Sequence, residues 1–390
     1  MFPQVSDIIN YFFGTHINIP IQSYGLMVAL AFVTGIFFIQ AELKRKEKEG
    51  LLKVIIKKEL KGAKAGVFEL TVIGAIGFII GYKLVGIFVD YKEFADNSQA
   101  YIFSFKGNII GGIALAAIMV FQKYYKKNKE KLDKPVMQEI EIHPYQLSAN
   151  ILIIAAISGL FGAKIFHHLE NFDAFLADPF GEFFSFMGLT FYGGLIVGSL
   201  TVIWYIRKNK IPIPVFLDAT APAIILAYGI GRIGCMLAGD GCWGIENLRP
   251  KPEWLSFLPD WMWAFRFPHN VINEGIAIDH CTGKYCTILE NPVFPTSFYD
   301  TILCVIFFVL LWLIRKKIRI HGWLFSILLF LIGIQRFFME KIRVNNEFSI
   351  LGIKSTQAEI ISVILIILSI TTFWIFYKNY QKKSKISFDN

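Results

Sequence analysis

Long apolar runs separated by short charged segments pattern this 390-residue chain. Runs near the roughly 20 residues that a helix needs to cross about 30 Å of hydrocarbon recur from end to end, whereas the alternation of barrel strands does not. The runs predict nine helices, at 21–41, 67–89, 107–122, 149–168, 187–206, 215–237, 298–314, 322–340 and 358–377. The fold class is therefore all-α: a polytopic transmembrane helical bundle, taken as a single integral membrane domain over 1–390. Before the first run stands a polar, proline-bearing stretch with no cationic leader and no small-residue cleavage site. That run is read as a retained helix, not a removed signal peptide.

Composition agrees, with 55% hydrophobic and only 18% charged residues, too apolar for an ordinary soluble domain. The basic residues set the orientation. With the N-terminus outside, the segments 42–66, 123–148, 207–214, 315–321 and 378–390 lie inside and hold 26 of the 39 lysines and arginines. That asymmetry predicts an N-out, C-in topology. It also accounts for the net charge of +9, so KRKEKEG and KKNKEKLDK need membrane lipids of the inner leaflet and no nucleic acid. The segment 238–297 becomes an extracytoplasmic loop region, whose Trp243, Trp254, Trp261 and Trp263 suit the headgroup layer. Cys242, Cys281 and Cys286 share that oxidising side. Cys281 and Cys286 could pair across a short loop, but three cysteines leave the pairing open. A staple is the expected use; no metal and no cofactor is assigned.

Set against itself at an offset of 81, the chain places GYKLVGIF (81–88) on GAKIFHHL (162–169) and FSFKG (103–107) on FSFMG (184–188). One residue further out of step, IIGGIAL (109–115) lies on FYGGLIV (191–197). The segment 67–122 is thus an additional helix pair resembling 149–206, a parallel duplication. Its Gly111 and Gly112 suit close helix packing, and Lys83 and Lys164 either snorkel to headgroups or serve a site. Only the second copy surrounds its Gly-Gly with Thr190 and Tyr192, so a site would use that copy.

An arginine inside a span costs at least about 2.5–3.5 kcal/mol and normally faces a cavity or a partner. Arg232 stands near the end of its run, before the glycine-rich GRIGCMLAGDGCWG (231–244). Arg336 lies four residues before Glu340, on one helical face, which a structural ion pair would explain equally well. Both arginines fall near the outer membrane face. Two planar, permanently charged forks there suit a phosphate, and so a phospholipid headgroup.

These residues, taken in order, resemble the prolipoprotein diacylglyceryl transferase family. The likeness is carried by SYGLM (23–27), GLFGAK (159–164), LTFYGGLIVG (189–198), DATAP (218–222) with GRIGCMLAGDGCWG, FPTSFYD (294–300), QRFFMEKIR (335–343) and GIKSTQAEIIS (352–362). It implies transfer of diacylglyceryl from phosphatidylglycerol to the lipobox cysteine of a prolipoprotein signal peptide, at the outer side of the bacterial cytoplasmic (inner) membrane. Arg232 and Arg336 would bind the phosphate and Glu340 would orient Arg336. Tyr24 would meet the headgroup or acceptor, Gly193 and Gly194 would let lipid approach the backbone, and Lys164 replaces a family arginine.

Departures from the family pattern fall at the site. Tyr192 replaces a histidine, Cys235 an asparagine and Asp240 a glutamate, with one extra residue in that stretch. A phenol of pKa about 10 is a poor base for a thiol, so Tyr192 is assigned a hydrogen bond to phosphate or ester. The base is left open, with Asp240 first and His269 and His168 behind it; Cys235 is taken as a packing residue. Two other classes compete. A transporter would need polar residues near the midplane of both repeats, and an inactive homologue would only bind lipid or precursor.

Overall fold

The computed structural model describes residues 1–96, 98–184, 190–281, 283–344, 347–350 and 353–388. The principal helices are α1 (Val5–Phe13), α2 (Ser23–Lys48), α3 (Val67–Val89), α4 (Ile109–Lys129), α5 (Ser148–Glu170), α6 (Phe191–Lys208), α7 (Ile213–Ala238), α8 (Thr296–Ile314), α9 (Trp323–Glu340) and α10 (Gln357–Phe388). Among the described residues, seven helices are long and apolar enough to cross a membrane: α2, α3, α5, α7, α8, α9 and α10. The helices at the other two expected spans, α4 and α6, carry lysine or arginine in their last turns and are not among the seven. The expected start of the fifth span, 187–189, and most of the FSFMG match lie outside the described residues.

α7 is the pillar of the bundle. Of its apolar window 56% is buried, against 11–39% for the other six, so it is enclosed by protein where they have faces left for lipid. Ala221 and Ile225 of α7 pack with Cys304 and Leu311 of α8 and Leu324 and Leu328 of α9. Toward its start, Val215, Phe216 and Ala219 meet Ile39 and Leu43 of α2 and Ile206 of α6. Asp218, within DATAP, is 3% exposed and accepts hydrogen bonds from the backbone N–H of Gly322 (2.7 Å) and Phe325 (3.1 Å). A carboxylate there satisfies orphan donors of the first turn of α9 and meets its positive dipole end.

Among the described residues, three two-stranded antiparallel ribbons stand beside the expected helices. β1 (Ile55–Lys61) pairs with β2 (Val136–Ile142), in register from Ile55 against Ile142 to Lys61 against Val136. β3 (Ile276–Ala277) pairs with β4 (Thr287–Ile288), and β5 (Glu347–Ile350) with β6 (Ile353–Thr356). β1 and β2 flank the pair α3 and α4 and close its neck. The loop region 238–297 has its own core of Trp243, Phe267, Leu289 and Val293, so Trp243, 6% exposed, is an interior residue and not a headgroup anchor. Cys281 and Cys286 form a disulfide, and Cys242 stays free.

Two helix pairs cross through glycine. A Cβ on Gly81 of α3 would stand 2.3 Å from the carbonyl oxygen of Gly111 of α4. In the other pair a Cβ on Gly162 of α5 would stand 2.5 Å from the carbonyl oxygen of Gly193 of α6. Both crossings bring backbones closer than any side chain permits, the packing expected where no hydrophobic effect drives association in lipid.

Candidate active site at one end of the bundle

The residues singled out in sequence gather where α2 begins and α7 and α9 end. The lysine-rich last turns of α2, α4 and α6 belong to the opposite end. Arg232 sits in the last turns of α7 and is 9% exposed. Its Nε lies 3.1 Å from Oδ2 of Asp300 in α8 and donates a 3.0 Å hydrogen bond to the Tyr228 hydroxyl one turn earlier. Its Nη1 faces Cys235 Sγ at 3.8 Å. Asp300, 1% exposed, accepts a 2.8 Å hydrogen bond from Gln335 Nε2 of α9 at its other oxygen. Three helices are thus tied through one buried carboxylate. Removing one member of such a pair costs about 3–5 kcal/mol, because the remaining charge is left without compensation.

Arg336 follows Gln335 on α9 and pairs with Glu340 at 3.6 Å, its side chain 25% exposed while that of Glu340 is fully covered. Because Gln335 holds the carboxylate that pairs with Arg232, the two arginines flank one network across α7, α8 and α9. Tyr192, at the start of α6, is within reach of Arg336, Glu340 and Arg343. Arg343 follows α9 in a bridge with Gly244, and its Nη1 is buried with no hydrogen-bond partner among the described residues.

On the other side of Arg232 the chain leaves α7 through Gly239 (φ +63°) and Gly241 (φ +85°), left-handed conformations that a side chain would strain. This double turn folds Asp240 and Cys242 back over Cys235. One ligand atom from each of the three lies within 4.8 Å of the others. Cys242 is anchored from behind, its carbonyl accepting from Thr296 Oγ1 and Ser297 Oγ, each at 2.8 Å, and its N–H donates to Asp240 Oδ1 at 3.2 Å. The hydrogen bond with Cys235 is the first cause that pulls the Cys242 thiol below its ordinary range, with Arg232 and Arg343 adding to it against burial and Asp240. Tyr24 of α2 packs on Gly234 and feels the charges of Cys235, Asp240, Cys242 and Arg232.

Not every expected residue joins this cluster. Gly193 and Gly194 face α5: a Cβ on Gly193 would meet Phe166 Cβ at 2.4 Å, and one on Gly194 the Gly159 carbonyl oxygen at 2.9 Å. Their close approach is helix to helix, which corrects the expectation that lipid reaches the backbone there. Lys164 is buried and partnered, beside His168. His168 also stacks near Phe175. His269 lies in the loop region, its Nδ1 2.8 Å from the Tyr285 carbonyl and 4.0 Å from Cys281 Sγ, so that one ring nitrogen is engaged by the disulfide hairpin. A groove of about 400 Å³ between α9 and α10, lined by Phe337, Lys341 and Glu359, contains none of the three arginines. Asp300, Gln335 and Arg343 were legible only as members of quoted motifs; the signal for Asp300 was a lone carboxylate within an apolar run, opposite an unpaired arginine in another.

The architecture and this cluster define a multi-pass membrane protein with a cationic site, built from three helix ends, at one end of its bundle. The chain belongs to the prolipoprotein diacylglyceryl transferase family, whose sequence profile matches residues 131–375. It is similar to the phosphatidylglycerol–prolipoprotein diacylglyceryl transferase of Corynebacterium glutamicum, 27% identical over 239 residues, covering 60% of this chain and 71% of that one. The enzyme of the same name from Dehalococcoides mccartyi is 27% identical over 240 residues, 62% of this chain and 80% of that one. A third, from Corynebacterium diphtheriae, is 30% identical over 210 residues, 52% and 68% of the two chains. The profile match begins after the pair α3 and α4.

Proposed function

We propose that this chain transfers the diacylglyceryl group of phosphatidylglycerol to the lipobox cysteine of prolipoproteins. The reaction forms a thioether and releases glycerol phosphate. The observation that carries this reading is the network that joins Arg232 through Asp300 to Gln335, the residue before Arg336 on α9. Carbon–oxygen cleavage puts growing negative charge on the departing phosphate, and preplaced guanidinium groups favour that transition state over the ground state. The ion pair with Asp300 occupies the Nε side of Arg232, so the far edge of the fork is the part that meets phosphate. Arg343, whose buried Nη1 lacks a partner among the described residues, joins the clamp. Tyr192 donates a hydrogen bond to phosphate or ester, and Tyr24 faces the acceptor side.

The same reading includes nine spans with the N-terminus outside, in a bacterial inner membrane, and this end of the bundle at the extracytoplasmic face. The pair α3 and α4 is a duplicate of α5 and α6 serving as scaffold. The test is thioether formation on a lipobox peptide by purified protein with phosphatidylglycerol. Arg232→Ala is expected to lower turnover by about 10²–10³. Full turnover in that variant removes Arg232 from the site, and failure of the unaltered protein to lipidate peptide or to complement a transferase-depleted bacterium removes the activity.

A further inference from the structure

Thiol alkylation needs the acceptor as thiolate, because the thiol is a weak nucleophile. Tyr192 is a poor base, the structure ties His269 Nδ1 to the loop hairpin, and His168 lies beside Lys164. Beside Arg232 it gathers instead two free cysteines and a carboxylate. Cys235 is 7% exposed in the last turn of α7, while Asp240 and Cys242 come from the double glycine turn that follows.

Their ligand atoms all lie within 4.8 Å of one another. Around a tetrahedral zinc, with bonds of about 2.3 Å to sulfur and about 2.0–2.2 Å to oxygen, neighbouring donors stand roughly 3.5–3.8 Å apart. Small side-chain rotations close that difference. The scaffold is prepared for it: Thr296 and Ser297 fix the Cys242 carbonyl, and the Asp240 to Cys242 turn is held by its own hydrogen bond. Two sulfurs and a carboxylate form a soft donor set that selects zinc over magnesium or calcium. Three protein ligands leave the fourth position open, as in catalytic zinc sites.

We propose that Cys235, Asp240 and Cys242 bind one zinc ion whose fourth position takes the acceptor cysteine of the substrate as a thiolate. This rests on the transferase reading and deepens it. Two thiolates and a carboxylate outweigh the metal's charge by one, which keeps a further bound sulfur electron-rich, and Arg232, 3.8 Å from Cys235 Sγ, offsets the excess. The incoming thiol would release its proton to solvent on taking that position, as ligating thiols do. A sulfur electron pair then attacks the glyceryl carbon, the carbon–sulfur bond forms as the carbon–oxygen bond breaks, and the electrons of that bond go to the phosphate held by the arginines. Metal and clamp would thus place nucleophile and leaving group on neighbouring sides of one guanidinium.

The experiment takes the full-length protein, purified in detergent and reconstituted with phosphatidylglycerol, and measures bound zinc, the cobalt spectrum and thioether transfer. About one zinc per chain is expected, with a thiolate-to-cobalt band after metal exchange. The joint Cys235→Ser and Cys242→Ser variant should lose both by at least about tenfold, and Cys304→Ser should keep them. A lipobox peptide should shift the cobalt spectrum, and the same peptide with serine for cysteine should not. Chelation should abolish transfer and added zinc restore it. Should the serine variants fail to fold, cobalt titration of the unaltered protein and of Asp240→Asn decides the matter. Transfer that proceeds without metal overturns the zinc site and leaves the transferase standing, as does isolation of active protein with Cys235 and Cys242 joined as a disulfide. Metal bound at the three residues without any transfer leaves the site standing and overturns the transferase.

Discussion

The pairs α3–α4 and α5–α6 solve the same packing problem and are put to different uses. Gly81 meets Gly111 as Gly162 meets Gly193, and Gly111 faces Val85 where Gly193 faces Phe166. The loop returns alike: Asn108 N–H donates to the Tyr82 carbonyl (2.9 Å), and Thr190 N–H to that of Ala163 (3.1 Å). What differs is the polar dressing. Lys83 donates to the carbonyls of Tyr101 (3.0 Å), Ser104 (2.5 Å) and Lys106 (2.7 Å), all within its own loop. Beyond the crossing of the second pair, Tyr192 stands in the field of Arg336, Glu340 and Arg343. At the matching place the first pair has Ile110, 77% exposed. A glycine crossing is therefore a mount, and what it mounts is decided by one or two side chains past it.

The sharpest way to break the comparison is to wedge each crossing apart. Gly162→Val puts carbon where the Gly193 carbonyl stands, 2.5 Å from Cβ, and Gly81→Val does the same against Gly111 at 2.3 Å. Overpacking of this kind costs about 1–3 kcal/mol, so both proteins should insert and persist. Gly162→Val should lower thioether transfer by about a hundredfold or more, because a displacement near 1 Å at a reacting site has that effect; Gly81→Val should leave transfer within about twofold. Equal losses would show that the first pair also shapes the site. Tyr192→Phe should come next, a fall of about tenfold in turnover with unchanged unfolding, as one hydrogen bond made in the transition state is lost.

Much of this was legible before any coordinates, and the pattern of success follows the physics. Apolar length reports spans directly, so α2, α3, α5, α7, α8, α9 and α10 overlap the expected runs, and the cost of burying guanidinium pointed to Arg232 and Arg336. The ribbon β1–β2 was hidden because its strands, IIKKELK and VMQEIEI, lie in charged segments with little burial to impose a period. Asp300 needed its partner's position, since a carboxylate in the first turns of a run says nothing of which arginine it meets. The Cys235, Asp240 and Cys242 cluster depends on the two left-handed glycines, and a reversal of chain direction is not written in residue spacing. Gly193 and Gly194 were misread for the converse reason: glycine announces a close approach, and only packing says by what.

A smaller effect is expected on the first pair's own loop. Lys83→Met removes the donor to three carbonyls, and hydrogen exchange over 98–106 should quicken by about 10–100-fold while turnover stays unchanged. The same loop has a pH signature. Tyr101 is pushed up to about 12 by burial, with its hydrogen bond to Asp90 adding to the rise. A phenol whose proton is held more tightly in the folded state contributes stability that is complete below its ordinary pKa of about 10 and is lost as pH rises through 12. Protection of the loop, taken relative to base-catalysed exchange of the free chain, should therefore fall over that interval, and Tyr101→Phe should abolish the fall.

The smallest change should come from the largest deletion. β1 and β2 end opposite each other, Lys61 against Val136, so residues 62–135 can be removed and the strands rejoined through Asn-Gly, a two-residue turn whose twist matches an antiparallel ribbon. The excised pair makes its crossing within itself, and it touches the remainder where Tyr91 and Ser98 donate to the carbonyls of Asn18 and Pro20. Nothing in the arginine cluster depends on those contacts, so transfer should stay within about threefold. A larger loss, with Tyr91→Phe and Ser98→Ala reproducing it in the full chain, would mean that the first pair steadies the segment leading into α2 and through it Tyr24. The two pairs would then differ in which wall of the site they hold, not in whether they hold one.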